Sequence, residues 1–155
     1  MRKNIIEIMP AIRSKGQSLF EVVIAIGIIG VVITAVAILA TNSIRNTTFS
    51  RNKSLATRYS QEAIEWLRGQ RDTSWVTFHL NAVNSAIYCL DSLLWTNVGA
   101  CGAGEVITDT ILQRQVTFSN ITATSVTAAV AVFWSDSQGI HQVSTSTVYT
   151  DWRAK

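Results

Sequence analysis

Charged side chains and proline are both scarce in this 155-residue chain. Charged residues make up 15% of it, hydrophobic residues 48%, and the single proline stands at position 10. The length fits one domain and leaves no room for a multidomain enzyme. Low charge together with high apolarity points toward a membrane. Because proline is absent after residue 10, no later helix is kinked by proline.

Net basic charge is missing from most of the chain. Residues 1–16 carry four basic side chains against one acidic side chain, whereas residues 17–155 carry nine of each. The net charge of +3 therefore belongs to a short N-terminal segment and not to a basic folded body. The composition gives no support for nucleic acid as a partner.

Residue patterns suited to catalysis or metal binding are also lacking. The two cysteines and the two histidines, His79 and His141, show no zinc-binding spacing. The sequence has no nucleophile elbow, no cofactor fingerprint and no pair of carboxylates at a spacing that suggests a cleft. We therefore predict no catalytic residue, no metal site and no cofactor, and we expect that the protein is not an enzyme.

One long apolar run is present near the N-terminus. Val22–Ala40 reads VVIAIGIIGVVITAVAILA, with Thr34 as its only polar side chain. A helix of this length spans about 28 Å, which is enough to cross a bilayer once. From Thr41 onward apolar and polar residues alternate over short distances, so we expect the rest of the chain to be exposed to water.

Three interpretations of this N-terminus compete. A secretory signal peptide would be cut after a small-x-small site, which Ala35-Val36-Ala37 supplies. A plain signal anchor needs only the apolar run and a basic cytoplasmic flank. The third interpretation rests on a charged leader that ends in Gly16 and on a carboxylate, Glu21, at the start of the apolar run.

The segment at residues 14–32, SKGQSLFEVVIAIGIIGVV, resembles the prepilin signal of type IV pilins and type II secretion pseudopilins. The resemblance implies that a prepilin peptidase cuts after Gly16 and methylates the new amino group on Gln17, while the apolar helix is retained. Glu21 occupies the position of the family's signature glutamate. The family usually has Phe or Met as its first mature residue, and the polar Gln17 is a variation more often seen in minor pilins.

Leu19 and Phe20 fill the apolar positions before that glutamate. With Glu21 they are the predicted assembly residues. An unpaired charge inside hydrocarbon costs a few kcal/mol or more, so an intramembrane glutamate usually has a partner or a function. The nearest candidate partner is the α-amino group of Gln17, on the same chain or on a neighbouring subunit. The alternative is that Glu21 lies hydrated among the lipid head groups.

The resemblance implies an α+β pilin fold, in which a long N-terminal helix packs on a small antiparallel sheet. We divide the chain into a cleaved leader at 1–16, a transmembrane and filament-core helix at 17–42, and an amphipathic half-helix with a globular β head at 43–155. The implied function is a structural subunit of a type IV pilus-like or type II secretion pseudopilus filament. The alternative function is a membrane-tethered extracytoplasmic binding module that does not polymerise.

The resemblance also implies the partners of such a subunit. They are other pilin subunits, the prepilin peptidase, an inner-membrane assembly platform and, before assembly, the membrane itself. The implied location is a single-pass position in the cytoplasmic membrane with the head outside the cytoplasm, followed by a filament at the cell surface or in the periplasm.

The second half of the long helix is predicted in two parts. Thr41–Lys53 is rich in Asn, Ser and Thr, which compete for backbone hydrogen bonds, so we expect it to be poorly helical. Helix resumes from Ser54 and ends between Gly69 and Ser74. Its apolar stripe consists of Leu55, Tyr59, Ala63 and Trp66, flanked by Ile64 and Leu67. On the wet side we predict the i,i+4 pairs Arg58–Glu62 and Arg68–Asp72.

A run of basic residues precedes the next acid at Glu62. Its members are Arg45, Arg51, Lys53 and Arg58. They could bind phosphate head groups, DNA or carboxylates on adjacent subunits, or they could form only a solvated face.

The C-terminal half is predicted to be sheet. Strands are expected within Ile111–Phe118, Thr124–Trp134 and Ile140–Tyr149, which are rich in Val, Thr and aromatic residues. Asp136–Gly139 forms the turn of an antiparallel hairpin. The alternating residues from Val126 to Trp134 should cover the helix.

Cys89 and Cys101 lie in a strand-poor, loop-rich segment. In an exported head we predict that they form a disulfide, with a free buried pair as the alternative.

Overall fold

The computed structural model describes residues 17–153, with side chains from residue 19 onward. Gly16 and the rest of the predicted leader lie outside these residues. The elements in chain order are α1 (Gln17–Thr73), α2 (Trp75–Asn84), β1 (Ile87–Cys89), β2 (Asn97–Val98), β3 (Gln113–Ser119), β4 (Ser125–Asp136) and β5 (Gly139–Thr150). The predicted α+β fold, a long N-terminal helix packed on a small antiparallel sheet, is confirmed.

α1 is one continuous helix of 57 residues, so the prediction of a poorly helical stretch at Thr41–Lys53 is wrong. Within this stretch the Oγ1 of Thr41 donates to the carbonyl of Ala37 at 2.9 Å, one turn back in the helix. Just beyond the stretch, Thr57 bonds the carbonyl of Lys53 in the same way, also at 2.9 Å. Such back-bonding leaves the backbone ladder in place.

The end of α1 lies at Thr73, and Gly69 does not interrupt it. Ser74 ends α1 as predicted, but it also begins a second helix that the sequence analysis missed. Its hydroxyl accepts a hydrogen bond from the backbone N–H of Thr77 at 3.2 Å, which caps α2. α2 buries Phe78 and Ala82.

The sheet has five antiparallel strands in the order β2-β1-β3-β4-β5. The pairing of β4 with β5 runs without a break from Ser125–Thr150 to Asp136–Gly139. The predicted hairpin turn is confirmed, and Gly139 has a φ of +125°, a conformation that favours glycine. β3 begins at Gln113, two residues later than expected, and the segment that we expected to be strand-poor contains only the short strands β1 and β2.

The core lies between α1 and one face of the sheet. That face presents the predicted alternating residues of β4, and all are buried: Val126, Ala128, Val130, Val132 and Trp134. On α1 the buried line is shifted from the predicted one. Its fully buried members are Ala56, Ser60, Ala63 and Leu67, while Leu55, Tyr59 and Trp66 are half-buried at its sides. Small residues on this line let the sheet approach the helix, and the Ser60 hydroxyl bonds the Thr145 hydroxyl at 2.9 Å.

The chain divides into two compact units, Met1–Asn46 and Thr47–Lys155, which we call the N-terminal unit and the head unit. α1 contributes residues to both units. The predicted domain limits at residues 16 and 42 stay predictions.

Candidate functional site

The described part of the N-terminal unit is an uncovered apolar helix. Leu19 and Phe20 are 72% and 68% exposed, and the apolar side chains of the run that follows are exposed as well. This helix is long and apolar enough to cross a membrane. In water so much exposed apolar surface would be unfavourable, so it requires lipid or other protein around it.

Glu21 lies in the first turns of this helix, and its side chain is exposed. It is the only charged residue between Gln17 and Ile44. No side chain of residues 19–153 forms an ion pair with it. Among the described side chains, Glu21 therefore has no ionic partner.

The head unit contains a buried guanidinium that the sequence analysis missed. Arg114, on β3, is 2% exposed. Its Nε donates to the carbonyl of Leu90 at 2.9 Å, and its Nη1 donates to the carbonyl of Tyr59 at 3.2 Å and to the carboxylate of Glu62 at 2.9 Å. Burial lowers the pKa of Arg114, and the bond to Glu62 opposes that shift. Arg114 lies two residues after Leu112 and two before Val116, both of which are buried. Because side chains alternate along a strand, this spacing in the sequence could have indicated that Arg114 is buried as well.

Both predicted i,i+4 ion pairs are wrong, and this guanidinium replaces one of them. Glu62 pairs with Arg114 and not with Arg58. The other predicted pair is also replaced by closer partners, because Arg68 pairs with Glu65 at 2.8 Å and Asp72 pairs with Arg71 at 2.7 Å.

The predicted disulfide between Cys89 and Cys101 is confirmed. It joins the end of β1 to the loop that follows β2. The neighbouring Gly102 is held on both sides: its carbonyl accepts from the Gln113 amide at 2.7 Å, and its N–H donates to the Glu105 carboxylate at 2.5 Å. The disulfide therefore anchors a loop that contains little regular structure.

The two histidines lie in different parts of the head unit and have different hydrogen-bond partners. His79 bonds the carbonyl of Thr122 at 2.8 Å, and His141 bonds the carboxylate of Asp136 at 2.9 Å beside the rings of Trp134 and Phe49. The pKa of Asp136 is lowered, first by the backbone N–H of Gln138 and then by His141. Within residues 17–153 no group of three His, Cys, Asp or Glu side chains could hold a metal.

A cleft of about 430 Å³ opens on the head unit between α1 and the turn that precedes β3. One wall is a single face of α1, formed by Thr48, Arg51, Asn52 and Leu55. The other wall consists of residues 109–112. Of the predicted basic residues only Arg51 lines it, whereas Arg45, Lys53 and Arg58 do not.

No protein-family model, curated protein or solved structure matches this chain.

Proposed function

We propose that this chain is a structural subunit, a minor pilin, of a type IV pilus-like or type II secretion pseudopilus filament. The observation that carries the proposal is the uncovered apolar half of α1, in which Glu21 is the only charge. A plain anchor has no use for a carboxylate at that position, because an unpaired charge there raises the cost of insertion. A helix that is transferred from lipid into a bundle of pilin helices does have a use for it.

In this proposal the apolar half of α1 is covered in turn by two environments. Lipid surrounds it in the cytoplasmic membrane, and the helices of neighbouring subunits surround it after an inner-membrane assembly platform has moved the subunit into the filament. Glu21 then pairs with the amino group of Gln17 on a neighbour, and this pairing sets the axial register. The head unit stays outside the cytoplasm throughout, where its disulfide is stable.

The first expected result is that the mature protein begins at Gln17. A prepilin peptidase would leave this residue at the N-terminus because the basic leader ends at Gly16. Mass spectrometry of the protein purified from its native membrane measures this directly, and Gly16→Ala should slow the cleavage. An N-terminus at Ile38, or an uncut Met1, would contradict the proposal and support a signal peptide or a plain anchor.

The second expected result concerns Glu21→Ala. We expect the variant to be inserted and cleaved normally but to enter filaments at about one tenth of the wild-type level or less, because the amino group of Gln17 would lack its partner in an apolar core. The measurement is the ratio of this subunit in sheared filaments to that in membranes. Glu65→Ala is the matched control, since Glu65 is exposed and pairs only with the nearby Arg68.

An unchanged ratio for Glu21→Ala would remove the register role. Together with an absence of this chain from sheared filaments, it would favour the membrane-tethered binding module.

A further inference from the structure

The cleft on the head unit has one wall formed by α1 and one wall formed by a tight turn. On the helical wall Thr48, Arg51, Asn52 and Leu55 follow the spacing i, i+3, i+4, i+7, so they share one face of α1. On the other wall the chain turns back tightly. The N–H of Ile107 donates to the carbonyl of Leu112 at 2.8 Å, and the Thr110 hydroxyl donates to the carbonyl of Ile107 at 2.7 Å.

This turn holds Asp109 in an unusual backbone conformation. Its φ is +60°, in the left-handed region that non-glycine residues rarely adopt. Such conformations cost free energy and persist where the surrounding bonds enforce them. Asp109 is exposed and is one of the residues that line the cleft.

The cleft has two opposite charges that pair with no other described side chain. Arg51 and Asp109 both line it, yet neither forms an ion pair or a hydrogen bond with another described side chain. A guanidinium binds phosphate or carboxylate oxygens well, and a carboxylate binds an ammonium group. The lining also contains three apolar residues, Leu55, Ile111 and Leu112.

A ligand that suits these three features carries an oxyanion, an ammonium group and an apolar part. We propose that this cleft binds the head group of a zwitterionic phospholipid of the phosphoethanolamine type. Arg51, with the Asn52 amide and the Thr48 hydroxyl beside it, receives the phosphate, and Asp109 receives the ammonium group. The start of the acyl chains covers Leu55, Ile111 and Leu112.

Two features of the chain favour a lipid over a free zwitterion. The apolar run ends at Ala40, eight residues before Thr48 on the same helix, so the chain that carries the cleft is itself a candidate membrane protein. Ile111 is 56% exposed at the cleft, and a free amino acid or phosphoethanolamine would leave it in contact with water. The volume suits a head group with its glycerol.

This inference rests on the membrane-anchoring part of the proposed function and does not need a filament. A short-chain lipid in solution therefore tests it separately from cleavage at Gly16 and from filament entry. The full chain is purified in a maltoside detergent and titrated with dihexanoylphosphatidylethanolamine. Binding is followed by the NMR signals of the Arg51 Nε–H and the Asn52 side-chain amide.

The variants are Arg51→Gln and Asp109→Asn, with Lys53→Gln as the matched control. Lys53 is exposed and adjacent in sequence, but it does not line the cleft. We expect each cleft variant to weaken binding by about tenfold, the loss typical of one charge-assisted hydrogen bond, and Lys53→Gln to change it by less than about twofold.

Two further ligands test whether the cleft recognises the ammonium group and the apolar part of the lipid. Dihexanoylphosphatidylglycerol lacks the ammonium group, so it should bind more weakly and should not respond to Asp109→Asn. Free O-phosphoethanolamine lacks the apolar part and should also bind more weakly. If both lipids bind equally and Lys53→Gln costs as much as Arg51→Gln, the attraction is only general electrostatics and the proposal is overturned.

The wild-type spectra test the proposal even if a variant misfolds. Saturable shifts at Arg51 and Asn52 with the ethanolamine lipid support it. If the lipid moves only signals of the apolar half of α1, the cleft is not the binding site.

Discussion

Replacing Arg114 by methionine should lower the free energy of unfolding of the head unit by about 3 kcal/mol. Methionine keeps most of the packing volume but donates no hydrogen bond. The carbonyl of Leu90 then loses its donor in a place that water does not reach, because Leu90 is fully buried and Arg114 is 2% exposed. The carbonyl of Tyr59 also loses its bond to Arg114, but it lies inside α1 and keeps its helical hydrogen bond. Each buried acceptor left without a partner costs about 1–3 kcal/mol.

Glu62→Gln separates this effect from the ion pair itself. The Glu62 side chain is 50% exposed, so its charge is screened by solvent and contributes little. We expect this variant to cost less than about 1 kcal/mol. Denaturant unfolding of the full chain in detergent, followed by tryptophan fluorescence, measures both variants, because all five tryptophans lie in the head unit. Equal losses for the two variants would show that the charge pair, and not the carbonyl bonds, is what Arg114 contributes.

Removing the disulfide by the double change Cys89→Ser and Cys101→Ser should also lower the free energy of unfolding by about 3 kcal/mol. The bridge joins residues that are 12 apart in sequence, and without it the unfolded chain regains the freedom of that loop. The native loop should also become more mobile, because the segment before Cys101 contains only the two-residue strand β2.

The same unfolding measurement tests this prediction, with reduction of the wild type as an independent route to the open chain. Reduction should destabilise the wild type as much as the double change does, and it should leave the double variant unaffected. Hydrogen exchange should speed up mainly at residues 90–101, while the apolar half of α1 still inserts into membranes. A wild type whose stability does not respond to complete reduction would contradict the prediction.

Several elements of the head could be predicted because their signals are local. The hairpin of β4 and β5 follows from two runs of alternating residues and a turn that ends in Gly139. Other elements could not be predicted in this way. The helical state of Thr41–Lys53 was missed. Composition shows that Ser and Thr side chains can compete for backbone hydrogen bonds, but it does not show that the Thr41 hydroxyl instead bonds the carbonyl one turn back.

The partners of charged residues were the least predictable feature. Glu62 looked like a member of an i,i+4 pair, yet it pairs with Arg114, 52 residues away in sequence. Likewise, Arg51 and Asp109 line the same cleft, and no spacing in the sequence signals that they share it. Local pairs on a helix are worth only about 0.2–0.5 kcal/mol, so a buried guanidinium with several bonds displaces them.

By itself the sequence determined the apolar helix with its single carboxylate, the strand pattern of the C-terminal half and the pairing of the only two cysteines. These depend on the chemistry of adjacent residues and on the periods of helix and strand, which are properties of short segments. Only the tertiary structure decided the burial of Arg114 and Ser60, the strands β1 and β2, and the cleft. Those features depend on free energies shared between residues far apart in the chain, which become defined only when packing excludes water.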